Sequence, residues 1–104
     1  MNMASCKCCS SDGQISQTLE KISSVLKLVA DPSRIKIMCI LRANNSCVCD
    51  LVEKIKLSQS LTSHHLSDLK KADLVRDTKR GQKVSYSLTP KGKSITNLIF
   101  KIKP

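Results

Sequence analysis

At 104 residues the chain is long enough for one domain with one modest core. Apolar residues make up 40% but aromatics only 2%, Tyr86 and Phe100, so the core must be aliphatic. Eighteen Lys and Arg against eight Asp and Glu give a formal charge of +10, which calls for an anionic partner and points to nucleic acid ahead of a membrane surface. No run approaches the roughly 18 apolar residues of a membrane helix. Met1-Asn2-Met3-Ala4-Ser5 lacks the basic and then apolar pattern of a signal peptide. The expectation is a cytoplasmic protein with no membrane partner, where clustered cysteines favour metal binding or redox sensing over a disulfide framework.

Residues 1–13 are small, polar and Cys-rich, and read as a flexible arm carrying Cys6, Cys8 and Cys9. Residues 14–104 read as one domain. Ile15, Leu19, Ile22, Leu26 and Val29 form the stripe of an amphipathic helix over 14–29. Asp31-Pro32-Ser33 breaks and restarts the chain, with Asp31 as cap and Pro32 at the first helical position. The next helix, through Ile35, Ile37, Met38, Cys39, Ile40 and Leu41, is apolar around most of its circumference and is predicted to be central, with Cys39 as a small core hydrophobe. It ends at Arg42-Ala43-Asn44-Asn45, a turn.

A short helix is predicted over residues 48–56, with Leu51, Val52 and Ile55 inward. Leu57-Ser58 forms a tight turn, and Ser58 caps a second helix from Gln59 to about Lys71, with Leu61, Leu66 (or His65) and Leu69 inward. Two short helices so joined are a helix-turn-helix. After Ala72-Asp73 the period changes to two. Residues 74–79 and 83–88 flank Arg80-Gly81-Gln82 as a β-hairpin with a basic tip. Thr89-Pro90 opens a last helix bearing Ile95, Leu98, Ile99 and Ile102. The fold class is therefore mainly α (α+β): a winged helix-turn-helix with a two-stranded β-hairpin wing.

Recognition helices meet base edges near their N-terminal end. Gln59, Ser60, Thr62, Ser63 and His64 are the candidate base-reading residues, all able to hydrogen-bond. His64 and His65 point about 100° apart on a helix, so one faces DNA and the other packs inward. Lys70, Lys71, Arg76, Lys79, Arg80 and Lys83 ring the same face as phosphate contacts, with Arg80 placed to enter a minor groove.

Cys47 and Cys49 frame Val48. On a regular helix that spacing sets the sulfurs about 200° apart, which suits no single ion. The pair works if Cys47 lies just before the helix, where a helix N-terminus also favours thiolate. Two thiols leave an ion under-coordinated, and Cys6, Cys8 or Cys9 can supply the rest. All-sulfur ligation favours Cd(II), Pb(II), As(III) or Cu(I), with Zn(II) next; no organic cofactor is indicated. Nothing suggests an enzyme: there is no Gly-rich phosphate loop, the carboxylates are scattered, and no Cys has a His partner in sequence. An oxidant or persulfide sensor of the same fold, or a thiol-rich metal buffer, are the alternatives.

From about Leu28 to Gly92 the chain resembles the ArsR/SmtB family of metalloregulatory repressors. The resemblance lies in Leu28-Val29-Ala30-Asp31-Pro32-Ser33-Arg34-Ile35, Cys47-Val48-Cys49-Asp50-Leu51, residues 57–66 and residues 81–89. It implies a homodimer joined through the first and last helices, bound to an inverted-repeat operator and released by metal. In the family's arsenic-type site a third Cys follows directly, where this chain has Val52. The zinc-type site uses His and carboxylates on the last helix, and residues 91–101 have none. What remains resembles the cadmium/lead-type site, in which Cys47 and Cys49 join arm cysteines of the partner subunit.

Overall fold

The computed structural model describes residues 13–102. The arm with Cys6, Cys8 and Cys9 lies outside the described residues. The elements run α1 (Gly13–Val29), α2 (Pro32–Ala43), β1 (Ser46–Cys47), α3 (Val48–Ile55), α4 (Gln59–Lys71), β2 (Val75–Arg80), β3 (Lys83–Leu88) and α5 (Pro90–Phe100). The structure is a winged helix-turn-helix.

Local chemistry explains the boundaries. The Asp31 carboxylate accepts from the Ser33 amide at 2.8 Å and the Arg34 amide at 3.3 Å, and Pro32 follows at the first helical position. Lys56 takes a left-handed conformation (φ 63°) and ends α3. Ser58 then caps α4, its hydroxyl accepting from the Leu61 amide at 3.1 Å. Asp73, also left-handed (φ 61°), ends α4 in a Schellman motif. There the Leu74 amide reaches the Leu69 carbonyl and the Asp73 amide the Lys70 carbonyl, both at 3.0 Å. Thr89 caps α5 through the Gly92 amide and donates to the Asp73 carbonyl at 2.6 Å, tying the start of α5 to the end of α4.

The core is aliphatic. Ile37, Met38 and Leu41 of α2 meet Leu51 and Ile55 of α3, Leu66 and Leu69 of α4, and Leu74, Val75 and Leu88 around the wing. Gly92 allows the close approach of α5: a Cβ there would sit 2.0 Å from the Leu74 carbonyl oxygen. Cys39 corrects the expectation for α2. It is exposed, because residues 37, 38 and 41 take the inward face and residue 39 falls opposite them.

The sheet has one more strand than expected. Ser46–Cys47 pairs antiparallel with β3, Ser46 opposite Tyr86 and Cys47 opposite Ser85, giving the order β1-β3-β2. Two residues after two asparagines carry no alternating pattern, so periodicity could not reveal them. The wing turn is tighter than expected too: Arg80 pairs with Lys83, leaving Gly81-Gln82 as a two-residue turn. Gly81 has φ +62°, as the first position of a type II′ turn requires.

Candidate nucleic-acid interface and thiol site

On α4, Gln59, Ser60, Ser63 and His64 are exposed, forming one polar stretch at the helix start. Thr62 is not part of it. The expectation that Thr62 faces outward and Leu61 inward is reversed: Thr62 is 0% exposed and Leu61 42%. With Leu66 and Leu69 fixed in the core, the inward row runs 62, 65, 66, 69, and residue 61 falls about 100° off it. The Thr62 hydroxyl donates to the Ser58 carbonyl at 2.9 Å, so its burial leaves no unpaired polar group.

The two histidines divide as their spacing demands. His65 is 7% exposed, and its Nδ1 accepts from Arg34 Nε at 3.0 Å. The His64 side chain is 65% exposed, with Nε2 3.4 Å from Asp68 Oδ2. Asp68 also takes Arg34 Nη2 in an ion pair, while Arg34 Nη1 donates to the Leu28 carbonyl at 3.2 Å. Arg34 thus joins α1, α2 and α4 directly beneath the exposed stretch. Sequence reasoning missed this support. Its only signal was an arginine in the first turn of α2, in a segment otherwise read as a helix start.

Lys79, Arg80 and Lys83 are exposed along the wing. Arg80 stands directly opposite Lys83, a like-charge pair that an anion between them would relieve. Lys70 is exposed but engaged: its Nζ lies 2.9 Å from Asp77 Oδ1, and this contact, ahead of desolvation, holds the Asp77 carboxyl below its ordinary value. Such surface pairs are worth at most about 1 kcal/mol, so a phosphate can compete for Lys70.

The thiol site lies at the other end of the helix-turn-helix. Cys47 ends β1 and is the N-cap of α3, with extended backbone (φ −85°, ψ 167°) and no side-chain cap hydrogen bond. Cys49 follows in the first turn. Because Cys47 is off the helix, the two sulfurs do not diverge. Cys47 Sγ, Cys49 Sγ and a carboxylate oxygen of Asp50 all lie within 4.8 Å of one another. Asp50 was not among the expected donors, since its place in the first turn reads as ordinary helix-end chemistry. Interaction with the Cys47 side chain, then desolvation and the nearby Asp50 carboxylate, push the Cys49 thiol above its ordinary value, against a backbone hydrogen bond from Asp50 that lowers it.

A family model described as "Bacterial regulatory protein, arsR family" matches residues 31–77. The fold is similar to that of reduced HlyU from Vibrio cholerae, with a TM-score of 0.76 and 31% identity, covering 86% of this chain and 95% of that one. The chain belongs to the arsR family. It is 39% identical over 69 residues to the arsenical resistance operon repressor of Staphylococcus xylosus, 66% of each chain. It is 37% identical over 79 residues to the cadmium resistance regulatory protein CadC of Listeria innocua, 75% of this chain and 65% of that one. The chain thus spans just under two thirds of these relatives' lengths. The family is one of bacterial regulatory proteins, and the relatives named here are a repressor and a regulatory protein of resistance. Among the described residues, no helix is long and apolar enough to cross a membrane.

Proposed function

We propose that this arsR-family chain is a metal-responsive repressor, acting in the cytoplasm. It holds an inverted-repeat operator as a metal-free homodimer and releases it when a thiophilic ion binds Cys47 and Cys49. The observation that carries the reading is the double membership of Cys47. It belongs to β1, which is paired with wing strand β3, and it caps α3, which packs against α4. A displacement of Cys47 therefore reaches both DNA-contacting elements, through Ser85 of the wing and through the first turn of α3.

In this reading Gln59, Ser60, Ser63 and His64 meet base edges in the major groove. Lys70, Lys79, Arg80 and Lys83 meet phosphates, Arg80 from the wing tip. The homodimer rests on the apolar side chains exposed on the first and last helices and just beyond: Leu19, Ile22 and Leu26, with Leu98 and Ile102. The donor set suits a soft or borderline cation: Cd(II), Pb(II), As(III), Zn(II) or Cu(I). Such an ion supplies polarisable bonds to sulfur and no reaction chemistry. Cys47 and Cys49 are the fixed half of the site, and Cys6, Cys8 and Cys9 of the partner's arm the other half. The arsenical and cadmium resistance regulators among the relatives support a metal signal.

Reversing a 99:1 occupancy requires the ion to prefer the released form by about 5.5 kcal/mol. The test is operator affinity with and without Cd(II), in wild type and in Cys47→Ser. We expect a fall of two orders of magnitude or more in wild type and none in the variant. Unchanged affinity in a confirmed metal-bound wild type would sink the reading. The closeness of the Cys47 and Cys49 sulfurs, within 4.8 Å of each other, favours a second reading, an oxidant or persulfide signal at the same pair. It predicts release by oxidant under strict metal chelation.

A further inference from the structure

We propose that Leu61 is a specificity-determining residue, seated against the C5-methyl group of a thymine in the operator's major groove. This rests on the reading of α4 as the base-reading helix and deepens it, by naming the base that one of its side chains selects.

Among the described residues, the other large apolar side chains left exposed belong to the first and last helices. Leu19, Ile22 and Leu26 lie on α1, and Leu98 and Ile102 on α5 or just beyond it, where the homodimer rests. Leu61, 42% exposed, stands apart in the first turn of α4. Leu57, four positions earlier, packs against the core, while Leu61 stays outside it. Nor can α4 turn to hide it. A roll of about 100° would lift Thr62 and His65 out of the core and break the bonds by which Arg34 holds His65 and Asp68. The Leu61 amide is itself fixed, donating to Ser58 Oγ at 3.1 Å. What covers Leu61 therefore comes from outside, and its surroundings indicate the kind of surface. His64, three positions on and adjacent on the helix surface, and Ser60 beside it are exposed and polar. Lys70 joins α4 to the wing through Asp77, and Lys79, Arg80 and Lys83 continue the positive charge along the wing. The partner that suits this setting is a polyanion with an apolar group on its face. In the major groove that group is the thymine C5-methyl, whereas the other groups on the base edges donate or accept hydrogen bonds. Leucine can do neither, so against those groups it would displace water without replacing the lost hydrogen bonds. One side chain thus both favours thymine and disfavours the other bases.

A singly exposed leucine is common on protein surfaces and needs no partner, and that bland role predicts no effect on sequence preference. The full-length metal-free protein separates the two. Selection from a random-sequence duplex library gives its preferred inverted repeat. Each thymine of either strand is then replaced by deoxyuridine, which removes the methyl and keeps the base pair. At one thymine per half-site the replacement should weaken wild-type binding about fourfold, the effect of one methyl kept from water. With both half-sites altered the loss should be roughly sixteenfold. Leu61→Ala and Leu61→Gln should each bind the thymine and deoxyuridine duplexes alike, whereas Leu61→Met keeps most of the discrimination. The position is exposed, so the variants should melt close to wild type, and the pair keeps the test decisive if one does not fold. A deoxyuridine effect equal in wild type and variants, or none at any thymine, would overturn the proposal and leave α4 as the base-reading helix. Selection of no preferred sequence would overturn both readings.

Discussion

The recognition helix and the thiol corner are held in opposite ways. α4 has a side-chain cap at Ser58, a Schellman closure at Asp73, and Arg34 bonded beneath it to both His65 and Asp68. The start of α3 has an N-cap with no side-chain bond, two exposed donors, and a strand of only two residues behind it. A surface that reads DNA must present its side chains in one geometry. A site that switches must sit where rearrangement costs little. The contrast places rigidity and compliance on successive helices joined by the turn at Lys56 and Leu57.

The comparison can be broken most forcefully from below α4. Leu66→Ala empties a fully packed position and should cost about 2–5 kcal/mol in denaturant unfolding. Next is Asp68→Asn, which leaves the part-buried Arg34 without its carboxylate. A loss of about 1–3 kcal/mol is expected, with weaker operator binding although no base-reading residue has changed. Undiminished stability would mean that α4 is not held from beneath. Arg80→Ala should leave stability alone, weaken binding to any DNA sequence, and lower the slope of log affinity against log salt by about 1.

The smallest effects are the sharpest, because they concern the caps. Ser58→Ala should cost about 1 kcal/mol. Cys47→Ser should do the opposite in the metal-free protein, since serine supplies the cap bond that cysteine does not make; a gain of up to about 1 kcal/mol is expected in thermal melts. Destabilisation by Cys47→Ser would show that the thiol corner is better held than its geometry indicates. At Asp31 desolvation pulls the carboxyl upward, but hydrogen bonds from the Arg34 and Ser33 amides, with the nearby positive charge, outweigh it and lower the value. A depressed carboxyl contributes stability that is present above the unfolded value of about 3.9 and lost as pH falls through the folded one. Asp31→Asn keeps a cap and should flatten that acid-limb slope.

Much of the fold was legible because it is written locally. Asp31-Pro32, Ser58 and Thr89-Pro90 are helix starts by their own chemistry, and all three cap the helices expected of them. Gly81 marks the wing turn in the same way. The two misplaced side chains share one cause. Leu61 against Thr62 and the side taken by Cys39 are questions of helix phase, which neighbouring elements settle. Hydrophobicity favoured Leu61 inward, but packing of Leu66 and Leu69 set the row through Thr62, whose hydroxyl found a carbonyl.

Composition, charge and period were enough to determine a basic, aliphatic winged helix-turn-helix with thiols at the start of one helix. Only the tertiary structure could decide what those thiols touch. β1 exists because β3 offers it a ladder, and that pairing holds Cys47 extended. With Cys47 off the helix, its sulfur, that of Cys49 and the Asp50 carboxylate converge. Residue spacing is a property of one segment, but convergence depends on backbone direction, and here a strand nearly forty residues away sets it.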